Sequence, residues 1–344
     1  MNTCPVPLSE HKTIQMAHGG GGRLMRQLID QIFVAGFDNE ILDEQSDSAV
    51  LDLTSDRLAF TTDSYVVQPL FFPGADIGKL AVCGTANDLA MAGARPVYLS
   101  AGFILEEGLS VALLSDVVRS MRQQADTAGI RIVTGDTKVV DRGKGDGIFI
   151  NTSGIGVMSS QTKPGPSAIR EGDAILLSGD LGRHGIAVMT QRDGLTFESP
   201  VESDCDHLWP VVHALQEHGV TLRCLRDLTR GGLASALVEV AESARLRLHV
   251  SARAIPVRDD VRGACELLGL DPYYVANEGR MIVIVPQAEA EQALICMREQ
   301  TISAQATCIG RIDGDGDGRV TIESEIGVKR ILDMLSGEQL PRIC

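Results

Sequence analysis

Four aspartates stand at or near the ends of expected strands and helices, and together they could hold a divalent cation. They are Asp63 in TTDS, Asp88 in ANDLA, Asp136 in TGDTK and Asp227 in RDLTRGG. Mg²⁺ binds hard carboxylate oxygens from converging elements, and a triphosphate needs such a cation. A single aspartate is more often a cap or turn residue. Three of these four have apolar surroundings, where an unpaired carboxylate is costly, so the set favours a cation site.

Two further side chains are candidates for proton transfer or for stabilising charge. Lys138 follows Asp136 by two residues, and Glu278 lies in VANEGR. Because apolar strand residues flank both, we expect both to be partly buried, and partial burial suits general acid–base catalysis near neutral pH. An ordinary ion pair is the competing interpretation, and the local sequence alone favours it for each.

The last residue of the sequence, Cys344, carries a thiol on a segment without periodicity. Residues 336–344 contain Gly and Pro, so we expect a mobile tail of nine residues that reaches about 30 Å when extended. Such an arm could carry the thiol to more than one active site, although an incidental exposed cysteine is the alternative. The neighbouring α-carboxylate should raise the pKa of the thiol, with Arg342 partly offsetting it. An acyl donor would therefore have to arrive already activated.

Alternating strands and helices must position these groups. A strand over Arg57–Thr62 is expected to end just before Asp63, and one over Ile130–Thr134 just before Asp136. Helical spacing from Gly78 to Met91 includes Asp88. The other expected elements are strands at Val97–Leu105, Phe149–Met158, Ala174–Ser178, near Leu248 and at Met281–Val285, and helices at Leu113–Ala128, from about His184, and at Leu208–His218, Gly231–Ala244 and Ala288–Gln300.

The stretch Ser159–Asp173 is rich in turn-forming residues, and we interpret it as a domain boundary. The alternation of elements fits a parallel sheet and also two halves with antiparallel connections, which is an α+β (mixed α/β) class. The expected divisions are an N-terminal extension over 1–13, an N-terminal domain over 14–160, a C-terminal domain over 170–334 and a tail over 335–344.

Several glycine-containing segments resemble ligand-binding motifs but are better explained as turns. Residues 74–80 (GADIGKL) are one residue short of a P-loop and lack its Ser or Thr. Residues 313–317 (DGDGD) begin like a calcium loop, but the twelfth position is Ser324, so we expect a polar hairpin turn between two strands. HGGGG at 18–22 and SGDLGRHG at 178–185 are equally compatible with tight turns. His18 and His184 have no partner in the local sequence, and we interpret both as structural.

The composition is that of a globular protein with two domains of ordinary size. Of the 344 residues, 44% are hydrophobic and 22% charged. The net charge of −15 argues against a nucleic-acid binder. No stretch has the pattern of a signal peptide or a membrane span, and the eight scattered cysteines contain no C-x-x-C pair. We therefore expect a cytoplasmic protein with reduced thiols and no membrane partner.

Taken together, the motifs resemble one family. The chain is similar to HypE, a family of hydrogenase maturation factors in the superfamily of aminoimidazole ribonucleotide synthetase and selenophosphate synthetase. The resemblance runs from about residue 18 to residue 344 and is carried by five segments: TTDSYVVQPLFFPGADIGKLAVCGTANDLAMAGA, RIVTGDTKVV, LRDLTRGG, VANEGR and PRIC. It implies two domains of the aminoimidazole ribonucleotide synthetase (PurM-like) fold, with N-terminal domains that pair into a shared β-barrel in a homodimer.

The resemblance also implies a reaction and its partners. ATP would bind with Mg²⁺ held by the four aspartates; the remaining nucleotide-binding positions implied are Asn87, Gly135 and Thr137. A HypF partner would carbamoylate Cys344, and ATP would drive dehydration of that carboxamide to a thiocyanate. The cyanide would pass to iron held by a HypC–HypD complex, for a NiFe hydrogenase. Glu278 would act as the base or orient the amide, and Lys138 would steady the phosphate charge, or these two roles would be exchanged.

Two other functions are compatible with parts of the sequence. One is a kinase or synthetase of the same superfamily that acts on a free small molecule and does not need Cys344. The other is a scaffold without catalysis that binds maturation partners through an acidic surface. The internal motifs and the terminal cysteine point independently to the dehydratase.

Overall fold

The computed structural model of the chain describes residues 12–20, 22–43, 48–53, 57–158, 163–192, 200–334 and 343–344. Most of the expected N-terminal extension over 1–13 and of the expected tail over 335–344 lies outside these residues. Gly21 of the HGGGG segment and residues 159–162 of the expected domain boundary lie outside them as well.

Strands and helices alternate along the described residues. The strands are β1 (Leu58–Tyr65), β2 (Phe71–Phe72), β3 (Ala75–Asp76), β4 (Ala94–Glu106), β5 (Arg131–Val140), β6 (Ile148–Met158), β7 (Ala174–Leu177), β8 (Cys224–Asp227), β9 (Leu246–Ser251), β10 (Met281–Val285), β11 (Thr307–Asp315), β12 (Val320–Glu323) and β13 (Lys329–Leu332). The α-helices are α1 (Arg23–Leu28), α2 (Ala35–Phe37), α3 (Glu40–Asp43), α4 (Ile77–Met91), α5 (Val111–Ala128), α6 (Arg183–Arg192), α7 (Trp209–Glu217), α8 (Gly232–Ala244), α9 (Asp259–Leu268) and α10 (Ala290–Arg298). A π-helix, Ile29–Val34, joins α1 to α2, and short 3₁₀ helices lie at Met16–Gly19, Pro166–Ala168, Ala252–Ala254, Gln287–Glu289 and Thr301–Ser303.

The first half of the chain forms a sheet with strand order β1-β6-β4-β5. The β4–β5 pair is parallel, and the other neighbours are antiparallel. Helix α4 is almost entirely buried and packs closely on α5, because a Cβ on Gly78 would lie 2.5 Å from the carbonyl oxygen of Val117. Helix α5 begins at the Ser110 N-cap, whose hydroxyl accepts from Leu113 N–H, and ends at Gly129 with φ +68°.

The second half forms a longer sheet with strand order β13-β12-β9-β11-β7-β10-β8. Every residue of β10 is buried, because helices cover both faces of the sheet's centre. Alternate side chains of a strand point to opposite faces. Accordingly, Ile282 and Ile284 enter the core cluster that includes α8, whereas Met281, Val283 and Val285 enter the cluster that includes α7 and α10.

The mixed α+β class is confirmed, since both sheets combine antiparallel pairs with one parallel pair, β4–β5 or β9–β12. The expected spans of α4, α5, α7, α8 and β10 are confirmed to within two residues. Among the helices of the described ranges, none is long and apolar enough to span a bilayer.

The expected hairpin at residues 313–317 is wrong. Strand β11 pairs with β7 and β9, while β12 pairs with β9 and β13, so β9 lies between the two strands that DGDGD connects. Residues 313–315 belong to β11, and the connection that follows them crosses over β9. The polar sequence of residues 313–317 indicated a turn but contained no information on which strands pair.

Candidate functional site

A small cavity between the two halves of the chain gathers most of the acidic residues singled out from the sequence. Its volume is about 50 Å³. The residues that line it come from β1, α4, the end of β8, the segment before β10 and the chain terminus: Asp63, Ser64, Tyr65, Gly84, Asp88, Asp227, Thr229, Arg230, Glu278 and Cys344.

The first two carboxylates come from the N-terminal half. Asp63 lies within β1 rather than after it, and its Oδ2 accepts a hydrogen bond from the Tyr65 hydroxyl at 3.3 Å. Asp88 lies on α4 and accepts from the Thr61 hydroxyl at 2.8 Å. Burial, followed by the charges of Asp227 and Asp63, raises the pKa of Asp88 to about 7. The site therefore holds more negative charge than its surroundings balance.

The other two carboxylates come from the C-terminal half and are more deeply buried. Asp227 ends β8 and is 8% exposed, and burial raises its pKa, with Arg226 partly opposing the shift. Glu278 is 3% exposed, and burial together with the charges of Asp227, Asp204 and Asp63 raises its pKa well above the usual value. Among the described residues, the Oε1 atom of Glu278 has no hydrogen-bond partner. Such an unsatisfied buried acceptor is costly and points to a missing donor.

The backbone on both sides of Glu278 is held rigidly. Asn277 is fully buried, accepts from Gly182 N–H at 2.7 Å and donates to the carbonyls of Leu228 and Val275. Arg280 forms a buried ion pair with Asp180 at 2.5 Å. The position of the Glu278 side chain is therefore set by its neighbours, as a preorganised catalytic group requires.

Asn87 connects the two halves of the chain. Its Nδ2 donates to the carbonyls of Asp206 and Glu278 at 3.1 and 3.3 Å, and its Oδ1 accepts from Leu208 N–H at 2.7 Å. The side chain is 2% exposed, so the structure directs its amide to backbone groups next to the cavity.

The two described residues of the tail lie inside the protein. Ile343 is 3% exposed and belongs to the core cluster that includes α4 and α5, against which Cys344 packs. Cys344 and Glu278 line the same cavity, and their side chains interact there. Burial, followed by the charge of Glu278, raises the pKa of the thiol, with Arg230 opposing the shift. The sulfur is therefore docked as a neutral thiol at the carboxylate cluster.

Asp136 and its neighbours lie elsewhere in the same chain. Residues 135–138 belong to β5, and Gly135, Asp136 and Lys138 are exposed, whereas Thr137 is buried. The Asp136 carboxylate accepts from Thr137 N–H at 2.8 Å. The expectation that Lys138 would be partly buried is wrong, because β5 is the edge strand of its sheet and apolar neighbours in sequence do not cover it.

Asp63 and Asp136 nevertheless lie at nearly the same position along the direction of the strands. Asp63 pairs with Thr152, Thr152 with Ala101, and Ala101 with Gly135. Strands β1 and β5 are the two edges, three strand spacings or roughly 14 Å apart. Within one chain, the sheet therefore separates Asp136 and Lys138 from the cavity.

A second, apolar cavity of about 100 Å³ adjoins residues 134–137 of β5. The rings of Phe33 and Phe103 meet in it with centroids 4.7 Å apart, and Phe37 and Leu42 complete the wall. An aromatic-lined pocket beside polar backbone is a typical setting for a planar ligand group.

The residues at the first cavity fit a divalent cation in chemistry. Asp63, Asp88 and Asp227 offer hard carboxylate oxygens, and burial, with Asp63 nearby, raises the pKa of the last two. Within the part of the chain that the structure describes, no three acidic, His or Cys side chains enclose a metal by themselves. Mg²⁺ commonly binds one or two carboxylates and takes its other oxygens from water and substrate phosphates, so the set suits a shared site.

Sequence reasoning missed several residues that shape the site: Asn277, Arg280, Asp204, Ser203, Arg230 and His184, which was interpreted as structural. Most of them act through partners about 20 to more than 150 positions away, which no local spacing reveals. In the sequence, His184 lies in SGDLGRHG, Asn277 and Arg280 lie in VANEGR and Arg230 lies in LRDLTRGG, whereas Ser203 and Asp204 lie in none of these segments.

Comparisons with known proteins agree with this geometry. The family models for AIR synthase related protein match residues 45–158 with the N-terminal domain and 170–323 with the C-terminal domain. The carbamoyl dehydratase HypE of Azotobacter vinelandii is 50% identical over 332 residues, which cover 96% of this chain and 97% of that protein.

Solved structures of HypE proteins are also similar to this chain. A crystal structure of the hydrogenase maturation protein HypE in complex with ATP is 49% identical, covers 96% of this chain and 100% of that chain, and superposes with a TM-score of 0.93. A crystal structure of a HypE–HypF complex matches with 42% identity and a TM-score of 0.78, over 90% of this chain and 99% of that one. The chain therefore belongs to the HypE family of carbamoyl dehydratases, within the AIR synthase related proteins.

Proposed function

We propose that the chain dehydrates a carboxamide carried on its own Cys344 to a thiocyanate, with ATP as co-substrate. The thiocyanate would supply the cyanide ligand for the iron of a NiFe hydrogenase. The observation that supports this most strongly is the contact between the Cys344 thiol and Glu278 inside a cavity lined by aspartates. The ATP complex of a HypE relative with 49% identity supports the co-substrate.

The chemistry requires activation of a poor leaving group. Transfer of the γ-phosphoryl group of ATP to the carboxamide oxygen forms an O–P bond and releases ADP. The C–O bond then breaks, both N–H protons are lost, and the products are the thiocyanate and phosphate. In such phosphoryl transfers the protein contributes positioning and charge neutralisation.

Glu278 is suited to receive a proton from the carboxamide nitrogen. Its Oε1 atom is buried without a partner among the described residues, and it lines the same cavity as the sulfur that would carry the amide. The raised pKa of Glu278 makes it a stronger base than an exposed glutamate. The closed surroundings of the cavity would limit hydrolysis of the activated amide.

The nucleotide would bind across both cavities. Asp63, Asp88, Asp136 and Asp227 would hold Mg²⁺, which supplies charge neutralisation at the phosphates when bound. Gly135 and Thr137 would contact the nucleotide, and the apolar pocket at Phe33 and Phe103 fits its base. Lys138 would steady the phosphate charge, and Asn87 would hold the backbone of the cavity.

A homodimer would bring the cavity that contains Asp63 together with residues 135–138 of β5 from the other chain. The sheet of the N-terminal half has an open face on which Phe60 is 72% exposed, Leu58 46% and Ile104 43%. Two such sheets facing each other would bury these side chains in a shared β-barrel. The edge strand β1 of one copy would then adjoin β5 of the other, and Asp63 of the first would approach Asp136 of the second.

Mixing two inactive variants tests this composite site. In a dimer of one Asp63→Asn chain and one Asp136→Asn chain, one of the two sites keeps both aspartates. Co-expression should therefore restore about a quarter of wild-type dehydration, since half of the dimers are mixed and each has one intact site.

The matched control is co-expression of Asp63→Asn with Asp227→Asn. These two aspartates line the same cavity of one chain, so no site in the mixed dimer is intact and activity should stay absent. If the first pair also shows no recovery, the shared site is ruled out.

Partners and domain organisation follow from the same proposal. The solved HypE–HypF complex supports HypF as the protein that carbamoylates Cys344, and a HypC–HypD complex would accept the cyanide. We propose domains over 14–160 and 170–334, with an extension over 1–13 and a tail over 335–344. The family models match residues 45–158 and 170–323, which fall within the two proposed domains.

Phosphate release tests the reaction in a single turnover. Carbamoylated protein mixed with ATP and Mg²⁺ should release about one phosphate per Cys344, because each carboxamide oxygen leaves once. Protein without the carboxamide should release little in the same time. A scaffold would release none in either form. A kinase or synthetase for a free small molecule would consume ATP only when that molecule is supplied, whether or not Cys344 carries the carboxamide.

A further inference from the structure

The penultimate residue of the chain is held by a buried histidine. Ile343 is 3% exposed, and its backbone carbonyl accepts a hydrogen bond from His184 Nε2 at 2.8 Å. His184 is fully buried in the first turn of α6. Because the bond is to the backbone, it fixes the peptide that directly precedes Cys344.

The hydrogen bonds around His184 determine which ring nitrogen carries the proton. A carbonyl can only accept, so Nε2 must be the N–H of the ring. In a neutral imidazole Nδ1 is then an acceptor, and it receives the Ser203 hydroxyl at 2.9 Å. The Ser203 oxygen in turn accepts from Cys205 N–H at 3.0 Å. The chain of donors therefore runs in one direction, from Cys205 to the Ile343 carbonyl.

The histidine and the Glu278 segment share one anchor. The backbone N–H of His184 donates to Asp204 Oδ1 at 3.1 Å, and Gly279 N–H donates to Asp204 Oδ2 at 2.9 Å. The His184 ring also packs edge-to-face on Phe72, with centroids 5.4 Å apart. Asp204 thus sets the distance between the residue that holds the tail and the residue that contacts the sulfur.

We propose that His184 is a positioning residue that holds the Ile343 carbonyl and so places the Cys344 sulfur against Glu278, with Ser203 keeping the proton on Nε2. The inference rests on the proposed function and adds a specific docking contact to it. Because His184 binds a backbone carbonyl, it holds the sulfur in position without contacting the carboxamide. The same contact serves the free thiol, the carboxamide and the thiocyanate.

Alkylation of Cys344 measures docking without ATP or carbamoylation. A docked thiol is shielded, so N-ethylmaleimide reacts through the undocked state and the rate reports the docking equilibrium. His184→Met keeps an apolar side chain of similar length but leaves the buried carbonyl without a donor. We expect alkylation to become about ten-fold faster, as for loss of one buried hydrogen bond. Cleavage after Lys329 isolates residues 330–344 for mass spectrometry.

Three variants separate positioning from general damage. His184→Gln retains a donor near Nε2 and should react at a rate closer to wild type than His184→Met. Ser203→Ala leaves the ring in place but removes the hydroxyl that donates to Nδ1 and accepts from Cys205 N–H, and it should give about a three-fold acceleration. His218→Met is the control, because His218 is exposed and its ring also bonds a backbone carbonyl, that of Ala214, at 2.8 Å. It should match wild type.

A chain that ends at residue 342 provides the second readout. It lacks the Ile343 carbonyl, so the stability costs of truncation and of His184→Met should not add when combined. Unchanged alkylation in both His184→Met and Ser203→Ala, or strictly additive stability costs, would overturn the proposal. A different result would count against the proposed function alone. In that case wild-type protein would fail to dehydrate the carboxamide, although His184 still protected Cys344 from alkylation.

Discussion

Cys344→Ala is expected to abolish thiocyanate formation completely while leaving ATP binding close to wild type. The variant has no sulfur to accept the carbamoyl group, so no substrate can form. The cavity keeps its aspartates and Glu278, because Cys344 contributes only one part of the wall. Incubation with the carbamoylating partner, followed by nucleotide-binding and mass measurements on the same sample, checks both halves of this expectation.

Cys308→Ala is the matched control. Cys308 is a partly buried free thiol on β11, away from the cavity, and its loss should leave the reaction unchanged. The other described free cysteines are buried: Cys83, Cys205, Cys224, Cys265 and Cys296. If Cys344→Ala still formed a modified, dehydrated product, the carrier would have to be another residue.

Glu278→Gln should give the second-largest effect. Glutamine has nearly the same shape but cannot take up a proton, so the dehydration rate should fall by about 10²- to 10⁴-fold, the usual contribution of a general base. ATP binding and folding should be retained, since Asn277 and Arg280 hold the segment without the Glu278 side chain. A single-turnover measurement on carbamoylated protein avoids any effect on carbamoylation.

Lys138→Ala and Glu217→Gln complete this experiment. Lys138→Ala should slow the step if Lys138 steadies the phosphate charge, whereas Glu217 is exposed at the end of α7 and its substitution should have no effect. Unchanged dehydration in both Glu278→Gln and Lys138→Ala would show that the two roles are wrongly assigned.

Elements with strong local signals could be predicted from the sequence. Helix α5 has a Ser110 N-cap, an amphipathic pattern and a terminal Gly129, and β10 is a continuous apolar run of five residues. Expected strands were less accurate at their ends, because β1 and β5 extend past Asp63 and Asp136. Pairing with β6 and β4 continues these strands beyond their apolar cores.

The site depended on information that is not local. Asp63, Asp88, Asp227, Glu278 and Cys344 meet only because two sheets pack around α4 and the chain terminus returns to it. The residue types indicated a carboxylate site, and the family resemblance assigned the roles. Lys138 is exposed because β5 is an edge strand, and β11 and β12 are separated because β9 lies between them. Both facts depend on the order of strands in the sheets, which hydrophobic periodicity does not predict.

The role of His184 could not be predicted from the sequence either. Its position near a glycine turn predicted only a structural residue, since its partner Ile343 is 159 positions away. The hydrogen-bond directions around the ring could be assigned only from the positions of Ser203 and of the Ile343 carbonyl. A buried polar side chain with a defined proton position is a stronger indication of function than its sequence context.

In the proposed reaction, the chain removes water from a carboxamide on Cys344. Mass spectrometry of the carbamoylated protein before and after addition of ATP and Mg²⁺ tests it most directly, with residues 330–344 isolated by cleavage after Lys329. This peptide should lose the mass of one water molecule, and the loss should require ATP. A peptide that keeps its intact carboxamide after ATP has been consumed would show that the chain does not dehydrate it.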